Sequence, residues 1–312
     1  MNRRRAVPAL LGAVVLACLA GPLLHRPVPA DPVGGALLPP GSAVVVLTLA
    51  DGRTLVSPAA RPSPDGAWTL RRGGAEETVP PAAVRSAVRR RAWLGTDRYG
   101  RDLLDRLLRG GRISLAVAGA ALALSLVVGL GLGLASATGP RWLDAVLMRL
   151  ADAWMAFPML FLLILLVALF RPGPVSLVAI LGASSWMGLA RLVRGQALAL
   201  RERPFLQASR AMGSPWHLRW RLHYLPNLVG PVAQETALRL GDLIVAEATL
   251  SFLGLGIQPP TPSWGSMVAE GQAVLLSGWW VATIPGLAIA LVVLLLAAAG
   301  DLLQDRVGPG TA

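Results

Sequence analysis

The sequence predicts an all-α membrane protein with six transmembrane helices and a small β-rich extracytoplasmic insertion. Three observations lead to this prediction. Hydrophobic residues make up 54% of the 312 residues, above the roughly 45–50% of a typical soluble domain. Charged residues are missing from several windows long enough to cross about 30 Å of hydrocarbon. Short strand-like runs also occur in the Pro-, Gly- and Arg-rich segment that follows the first apolar window.

Six apolar windows set the positions of the predicted spans. They cover about residues 6–24, 113–135, 153–170, 175–190, 229–253 and 279–300. The fifth window is the weakest, because it contains four charged residues, namely Glu235, Arg239, Asp242 and Glu247.

The distribution of arginine predicts the orientation of the chain. A basic tail, Met1–Arg5, precedes the first span, and the connection after the fourth span, about residues 191–227, contains seven Arg. Cytoplasmic connections carry an excess of basic residues, so both termini and this connection are expected in the cytoplasm. The predicted organisation is a tail and first span at 1–25, an extracytoplasmic segment at 26–92, and the remaining spans at 93–312.

The extracytoplasmic segment contains two hairpin signals within about residues 41–80. Residues 43–49 and 54–57 flank Asp51-Gly52, a pair that favours a tight turn between strands. Residues 67–70 and 77–79 flank the weaker signal Arg72-Gly73-Gly74. The many Arg residues here are compatible with an external location, since long loops translocate largely regardless of charge.

Composition excludes several enzyme classes. All 29 basic residues are Arg, whereas a P-loop nucleotidase and a pyridoxal enzyme both require Lys. An intramembrane serine protease at Ser184 would need a base, and the three His residues lie outside the predicted spans. We therefore expect no catalytic residues, no cofactor and no metal site. Nucleic-acid binding is not favoured, because the Arg residues border apolar spans or alternate with acids.

Cys18 is the single cysteine, so it forms no intrachain disulfide and no cysteine-based metal site. The run from Arg3 to Cys18 is similar to a lipoprotein signal peptide. We favour an uncleaved first span with an ordinary buried cysteine, because five further spans follow and none needs a lipid anchor.

The basic connection is predicted to form two short helices separated by a break. Gly213 can take the left-handed conformation that ends the first helix. Ser214 can cap the second helix, with Pro215 in its first turn, and Pro226 is expected to end it. Helices with Arg on one side and large apolar residues on the other suit a groove in a partner protein. A solvated helical hairpin explains the same pattern equally well.

This connection, about residues 201–227, resembles the EAA motif of binding-protein-dependent ABC importer permeases. Ala208, Gly213, Leu225 and Pro226 fall in register with the motif, while Gln207, Ser209 and His223 replace its Glu, second Ala and Ile. The resemblance implies a coupling helix that docks in a cleft of an ATPase subunit. The coupling residues it implies are Gln207, Ala208, Ser209, Gly213, Leu225 and Pro226.

Two further stretches are similar to the dipeptide, oligopeptide and nickel branch of that family. One is the Leu-Gly-Thr-Asp…Gly-Arg-Asp pattern at residues 94–102, with Asp105 where the branch usually has Ser; the other covers residues 250–265. The resemblance extends over about residues 93–309 and more loosely over 6–36. It does not include the insertion at 41–80.

The first of these stretches also carries a structural prediction of its own. Thr96 or Asp97 is expected to cap a surface helix that ends at Gly110-Gly111, before the second span. Four pairs at i,i+4 spacing are expected to stabilise it: Asp97/Arg101, Arg98/Asp102, Asp102/Arg106 and Asp105/Arg109.

The resemblance implies a non-catalytic permease subunit in the bacterial cytoplasmic membrane that forms half of a translocation pathway. The implied partners are a second, similar permease, two ATPase subunits, an extracytoplasmic solute-binding protein and membrane lipid. Peptides are the commonest cargo of the branch, and nickel chelates are the alternative. A secondary transporter is a rival interpretation, but it would have no use for a loop of this kind.

The charged residues within the spans leave two interpretations open. Glu235, Arg239 and Asp242 lie at helical contact spacing, and they either line the pathway or form a structural ion-pair cluster. Asp152 and Glu247 also fit the pattern of the branch. For both of them a gating role and a structural role remain open.

Overall fold

The computed structural model describes residues 3–170 and 173–307. Its helices are α1 (Arg3–Leu24), α2 (Leu103–Thr138), α3 (Arg141–Met155), α4 (Met159–Leu169), α5 (Pro174–Ala183), α6 (Trp186–Arg201), α7 (Pro204–Ala211), α8 (Trp216–Arg219), α9 (Leu225–Phe252), α10 (Trp264–Gln272) and α11 (Trp280–Val307). Its strands are β1 (Ser42–Leu49), β2 (Thr54–Ser57), β3 (Arg61–Pro62), β4 (Trp68–Arg72), β5 (Ala75–Val79) and β6 (Val84–Ala92).

Four stretches in the described chain are long and apolar enough to cross a membrane. They are Arg5–Leu24, Leu103–Thr138, Pro174–Arg201 and Trp280–Gln304. The pair α3 and α4 forms a fifth if its two helices, bent by 92°, are one span. Helix α9 has 28 residues, long enough to cross, but it carries the four charges noted above.

Helix α2 corrects the prediction of a separate surface helix. It runs for 36 residues without a break at Gly110-Gly111, and its N-cap is Asp102 rather than Thr96 or Asp97. A Cβ added at Gly111 would lie 2.5 Å from Cys18 Sγ and 2.6 Å from the Trp264 ring. This glycine therefore allows close packing against α1 and α10 and does not end the helix.

The third predicted span is interrupted, and the fourth is both interrupted and extended. Residues 156–158 break the third span, and Pro158 is the N-cap of α4, since proline cannot donate the backbone hydrogen bond of a continuing helix. The fourth span pauses at Ser184–Ser185 and then continues as α6 to Arg201. The first part of the connection predicted at 191–227 is therefore helical.

Both predicted hairpins are formed, within two antiparallel sheets of order β2-β1-β6 and β3-β4-β5. Thr48 pairs with Thr54 around the Asp51-Gly52 turn, and Arg72 pairs with Ala75 around Gly73-Gly74. The sheets enclose a small core that includes Leu47 and Leu70. Strand β6 lies beyond the predicted limit at residue 80, so the β-rich region extends to Ala92.

Asp31 fastens the linker after α1 to both sheets. Its carboxylate accepts the Val56 backbone N–H at 2.8 Å and those of Val33 and Gly34, and it pairs with Arg72 at 2.8 Å. Burial opposes ionisation of this carboxyl, but the backbone donors and the guanidinium outweigh it, so the pKa of Asp31 lies below its ordinary value.

The β-sheets and the basic connection lie at opposite ends of α2, which is about 54 Å long at 1.5 Å per residue. At the amino-terminal end, Trp280 Nε1 of α11 donates to the Thr96 carbonyl at 3.0 Å. At the carboxyl-terminal end, Trp220 Nε1 donates to Thr138 Oγ1 at 3.1 Å.

Small residues set the contact between α2 and α6. A Cβ added at Gly129 would lie 2.8 Å from the Leu189 side chain, and one at Gly133 would lie 2.7 Å from the Ala190 carbonyl. Small residues four positions apart let helix backbones approach closely where lipid offers no hydrophobic driving force. This contact holds α6, which leads into the basic connection, against the central helix.

Candidate coupling and translocation sites

The segment from α7 to the start of α9 has the geometry that the sequence predicts at Gly213. Gly213 has a φ of +74°. Its N–H donates to the Arg210 carbonyl at 2.9 Å, and the Ser214 N–H donates to the Ser209 carbonyl at 3.2 Å. This pair of bonds is a Schellman cap, so the prediction of a left-handed helix end at Gly213 is confirmed.

Two neighbouring predictions are wrong. Ser214 does not cap α8, because Pro215 is the N-cap and no side chain bonds to the helix end. Pro226 does not end the second helix either. A π-helical turn, Trp220–Tyr224, joins α8 directly to α9, so the helical backbone continues through Pro226 in the first turn of α9.

The same segment exposes large apolar side chains at the end of the helical bundle. Leu206 and Ser209 are buried on the inner side of α7, whereas Met212 is 76% exposed. The exposed apolar residues are Phe205, Met212, Trp216, Leu218, Leu222 and Leu225. Gln207 and Ala208 are exposed as well, with Gln207 Nε2 donating to the Glu202 carbonyl at 3.3 Å. We name the six exposed apolar residues from Phe205 to Leu225 given above the coupling face.

Side chains on the inner side connect the coupling face to the long helices. Arg210 donates to the hydroxyl of buried Tyr224 at 3.2 Å. Tyr224 and Leu206 pack with Leu134 of α2 and Val193 of α6. Because these side chains are buried in one cluster, a displacement of α7 would be transmitted to α2, α6 and α9.

At the opposite end of α2, two arginines and two carboxylates form a network in which Asp97 and Arg106 are buried and the other two side chains are half-buried. Arg106 donates to Asp97 at 2.6 Å and to both oxygens of Glu270 at 2.8 and 2.9 Å. Arg101 donates to the same two acids, at 2.6 Å to Asp97 and 2.5 Å to Glu270. The four charges cancel, so the network joins residues 97–106 to α10 without a net buried charge. Sequence spacing did not reveal Glu270.

The predicted pairs of Asp102 with Arg98 and Arg106 are wrong. Asp102 instead accepts from the Val28 N–H at 3.0 Å, from His25 Nε2 at 3.2 Å, and from two N–H groups of its own helix end. It therefore fastens the linker after α1 to the start of α2. The predicted pair of Asp105 with Arg109 is present at 2.8 Å.

Glu247 and Asp152, for which the sequence leaves a gating role undecided, have different environments. Glu247 is fully buried and accepts from Ser251 Oγ at 2.7 Å. Ser251 Oγ in turn accepts the Ile257 N–H at 3.0 Å, so this pair holds the turn that follows α9. Asp152 is exposed and pairs with Arg191, which connects α3 to α6.

A cavity of about 530 Å³ lies where two interrupted helices meet the continuous helix α9. Its walls come from the bend between α3 and α4, the junction between α5 and α6, and the middle of α9. Arg239 and Asp242 line it, and Arg239 Nη2 pairs with Glu235 at 2.7 Å. The sequence identified these charges as neighbours, but it did not identify the cavity, which depends on the bend at residues 156–158.

Comparisons with known proteins agree with one another. A family model described as "binding-protein-dependent transport system inner membrane component" matches residues 125–312. A relative from Brucella suis, named as a peptide permease protein, is 42% identical over 73% of this chain and 76% of its own length. The dipeptide transport system permease protein of Bacillus subtilis is 36% identical over 77% of this chain and 73% of its own length.

One solved structure shares the fold. It is titled as an inward-facing conformation of the MetNI methionine ABC transporter, and the match has a TM-score of 0.54 at 20% identity. The match covers 65% of this chain and 96% of the other.

Proposed function

Because this chain belongs to the family of binding-protein-dependent transport system inner membrane components, we propose a specific role for it within a peptide importer. The chain is an inner-membrane permease subunit of an ABC importer of the peptide branch. We propose that it forms half of a pathway for short peptides and pairs with a second, similar permease. Two ATPase subunits would bind on one side of the membrane, and a solute-binding protein would deliver peptide on the other.

The observation that carries this proposal is the coupling face. A helix end fixed by the Schellman cap at Gly213 presents Met212 and Trp216 to the outside. Large apolar side chains grouped on an exposed helical surface are typical of a site that inserts into a partner. In this role the residues from Gln207 to Pro226 dock an ATPase. The inner contacts of Tyr224 and Leu206 pass its motion to the spans.

The proposed topology has six passes. Helix α9, despite its charges, would be the pass that joins the coupling face to the end carrying α10, since its charged residues face the cavity or the protein interior. Both termini and the coupling face would then be cytoplasmic, and the β-sheets extracytoplasmic. The opposite positions of the sheets and the coupling face along α2 support this arrangement.

Cysteine labelling tests the topology. In a Cys18→Ala background, Asp65→Cys in the β-rich region should react with an impermeant maleimide added to intact cells. Met212→Cys should react only after the membrane is opened. Labelling of Met212→Cys from outside would overturn the proposed orientation.

Uptake tests the function. Vesicles that contain the complete importer should accumulate radiolabelled dipeptide when ATP is supplied, and unlabelled peptide should compete while a nickel chelate should not. Competition by the nickel chelate alone would replace peptide with the other cargo of this branch.

A further inference from the structure

The cavity bounded by the α3–α4 bend, the α5–α6 junction and α9 contains two opposite charges. Arg239 and Asp242 are one helical turn apart on α9, and both line its wall. A volume of about 530 Å³ lies within the range of roughly 300–1,000 Å³ for small-molecule sites. Asp242 is exposed, and no ion pair or hydrogen bond engages its carboxylate within the described part of the chain.

Arg239 is held so that its guanidinium lies across the first turn of α6. Its Nη1 donates to the Ser185 carbonyl at 2.9 Å, and a Cβ added at Gly188 would lie 2.2 Å from its Nη2. No side chain caps this end of α6. A carboxylate placed here would meet the guanidinium of Arg239, which also pairs with Glu235 at 2.7 Å.

Two residues of the cavity wall carry buried hydrogen-bonding groups without a described partner. Ser184 is 4% exposed, and its hydroxyl has no partner among the described residues. The Trp154 indole N–H lacks a described partner in the same way, and both side chains line the cavity wall. Buried polar groups are nearly always hydrogen-bonded, so a small rotation of either side chain would let it bond to a polar molecule in the cavity.

The other side chains that line the cavity include flexible ones that can change rotamer. Met155, Met159 and Met187 contribute flexible, polarisable surface, which can repack around side chains of different shape. Trp154 and Phe157 add aromatic faces, which attract an ammonium group. A ligand with fixed charged ends and variable side chains matches such a lining.

We infer that Arg239 and Asp242 bind the free carboxylate and the free ammonium of a short peptide as it passes through this permease. The inference rests on the proposed function and names the substrate chemistry of its pathway. Arg239, with Ser184 nearby, would hold the carboxyl terminus. Asp242 would hold the amino terminus, and the methionines would contact the side chains. The permease would thus recognise peptide by its zwitterionic ends after the binding protein has released it.

Binding to the complete importer without its binding protein tests this inference. The probe is radiolabelled alanyl-alanine, with N-acetylated and carboxyl-amidated alanyl-alanine as competitors. The wild type should prefer the free dipeptide over each capped form by about tenfold, the loss expected for one charged hydrogen bond. Asp242→Asn should lose the preference against the acetylated form and keep that against the amide. Arg239→Gln should show the opposite pattern.

The controls separate this inference from the proposed function. Asp242 has no described internal partner, so its change to Asn should leave folding intact, and Asp301→Asn provides the same change at an exposed position away from the cavity. Asp301→Asn should behave as the wild type. If the wild-type importer takes up dipeptide but Asp242→Asn keeps both preferences, the site is wrong and the proposed function stands. If the complete wild-type importer takes up no dipeptide, both are wrong.

Discussion

Arg106 and Glu270 form a two-pronged ion pair, with both guanidinium ends of Arg106 donating to the Glu270 carboxylate at 2.8 and 2.9 Å. The residues are 164 positions apart, and Arg106 is almost fully buried. The pair fixes α10 against the start of α2 at the end of the molecule that carries the β-sheets. It is the bidentate pair in the network with Asp97 and Arg101.

Removing one carboxylate from this network should destabilise the protein. Glu270→Ala leaves buried Arg106 and half-buried Arg101 with one acid between them, and breaking a buried pair costs about 3–5 kcal/mol. Thermal unfolding in detergent measures the effect. Asp105→Ala, which removes the partner of the more exposed Arg109, should cost at most about 1 kcal/mol. Equal losses for the two variants would show that the network adds nothing beyond a surface pair.

Gly213→Val should weaken docking of the ATPase and lower transport. The position has a φ of +74° and open space around its Cα, so the cost comes from the backbone and changes the direction in which α8 leaves α7. Uptake and ATPase co-purification should both fall, with Gly213→Ala milder. Gly195→Val changes an exposed helical glycine with equal space around it and should transport normally. Normal transport by Gly213→Val would remove the cap from the mechanism.

Gly133→Val should weaken the contact between α2 and α6. The added side chain would lie 2.8 Å from Val193 Cβ, and overpacking of this kind costs about 1–3 kcal/mol. Gly131→Val, two residues earlier on α2, meets nothing within 4 Å and should change stability by at most about 0.5 kcal/mol. Both variants change helix propensity equally, so the difference between their unfolding temperatures measures the effect of packing. No difference would mean that the helices do not approach closely here.

The Asp31 site predicts an acid-sensitive β-rich region. Because the pKa of Asp31 lies below the unfolded value of about 3.9, its stabilisation is complete above that value. It is lost as the pH falls through the lower, folded pKa. Unfolding temperatures measured from about pH 7 to about pH 3 should therefore fall less steeply for Asp31→Asn than for the wild type. Asp65→Asn, at an exposed position, should keep the wild-type slope. If the unfolding temperature of Asp31→Asn fell with pH as steeply as that of the wild type, Asp31 would not be the source of the acid sensitivity.

Local signals in the sequence predicted local structure well. The Asp51-Gly52 hairpin and the left-handed Gly213 depend on a few neighbouring residues, and both are formed. Gly110-Gly111 also carried a local signal for a helix end, but tertiary packing against Cys18 and Trp264 overrode it. Strand β6 was missed because its Arg-rich run lacks an alternating apolar pattern, as suits an edge strand.

The sequence likewise predicted some features of the candidate sites and missed others. Exposure of the coupling face followed from the amphipathic pattern of the connection. The partners of Asp102 and Arg106 did not, because His25, Val28 and Glu270 come from distant parts of the chain. The cavity depends on a bend of 92° between α3 and α4. Pro158 signals a break there, but a proline does not specify which helices meet at it.

Cross-linking from the coupling face tests the central claim most directly. In a Cys18→Ala background, Met212→Cys carries a benzophenone photoprobe in the assembled, transport-active importer. We expect an adduct between this chain and an ATPase subunit. Leu276→Cys, a fully exposed site in the turn before α11 at the opposite end, should give no ATPase adduct. An active complex in which the probe at Met212 never reaches an ATPase subunit, or in which the probe at Leu276 reaches it equally well, would contradict the account.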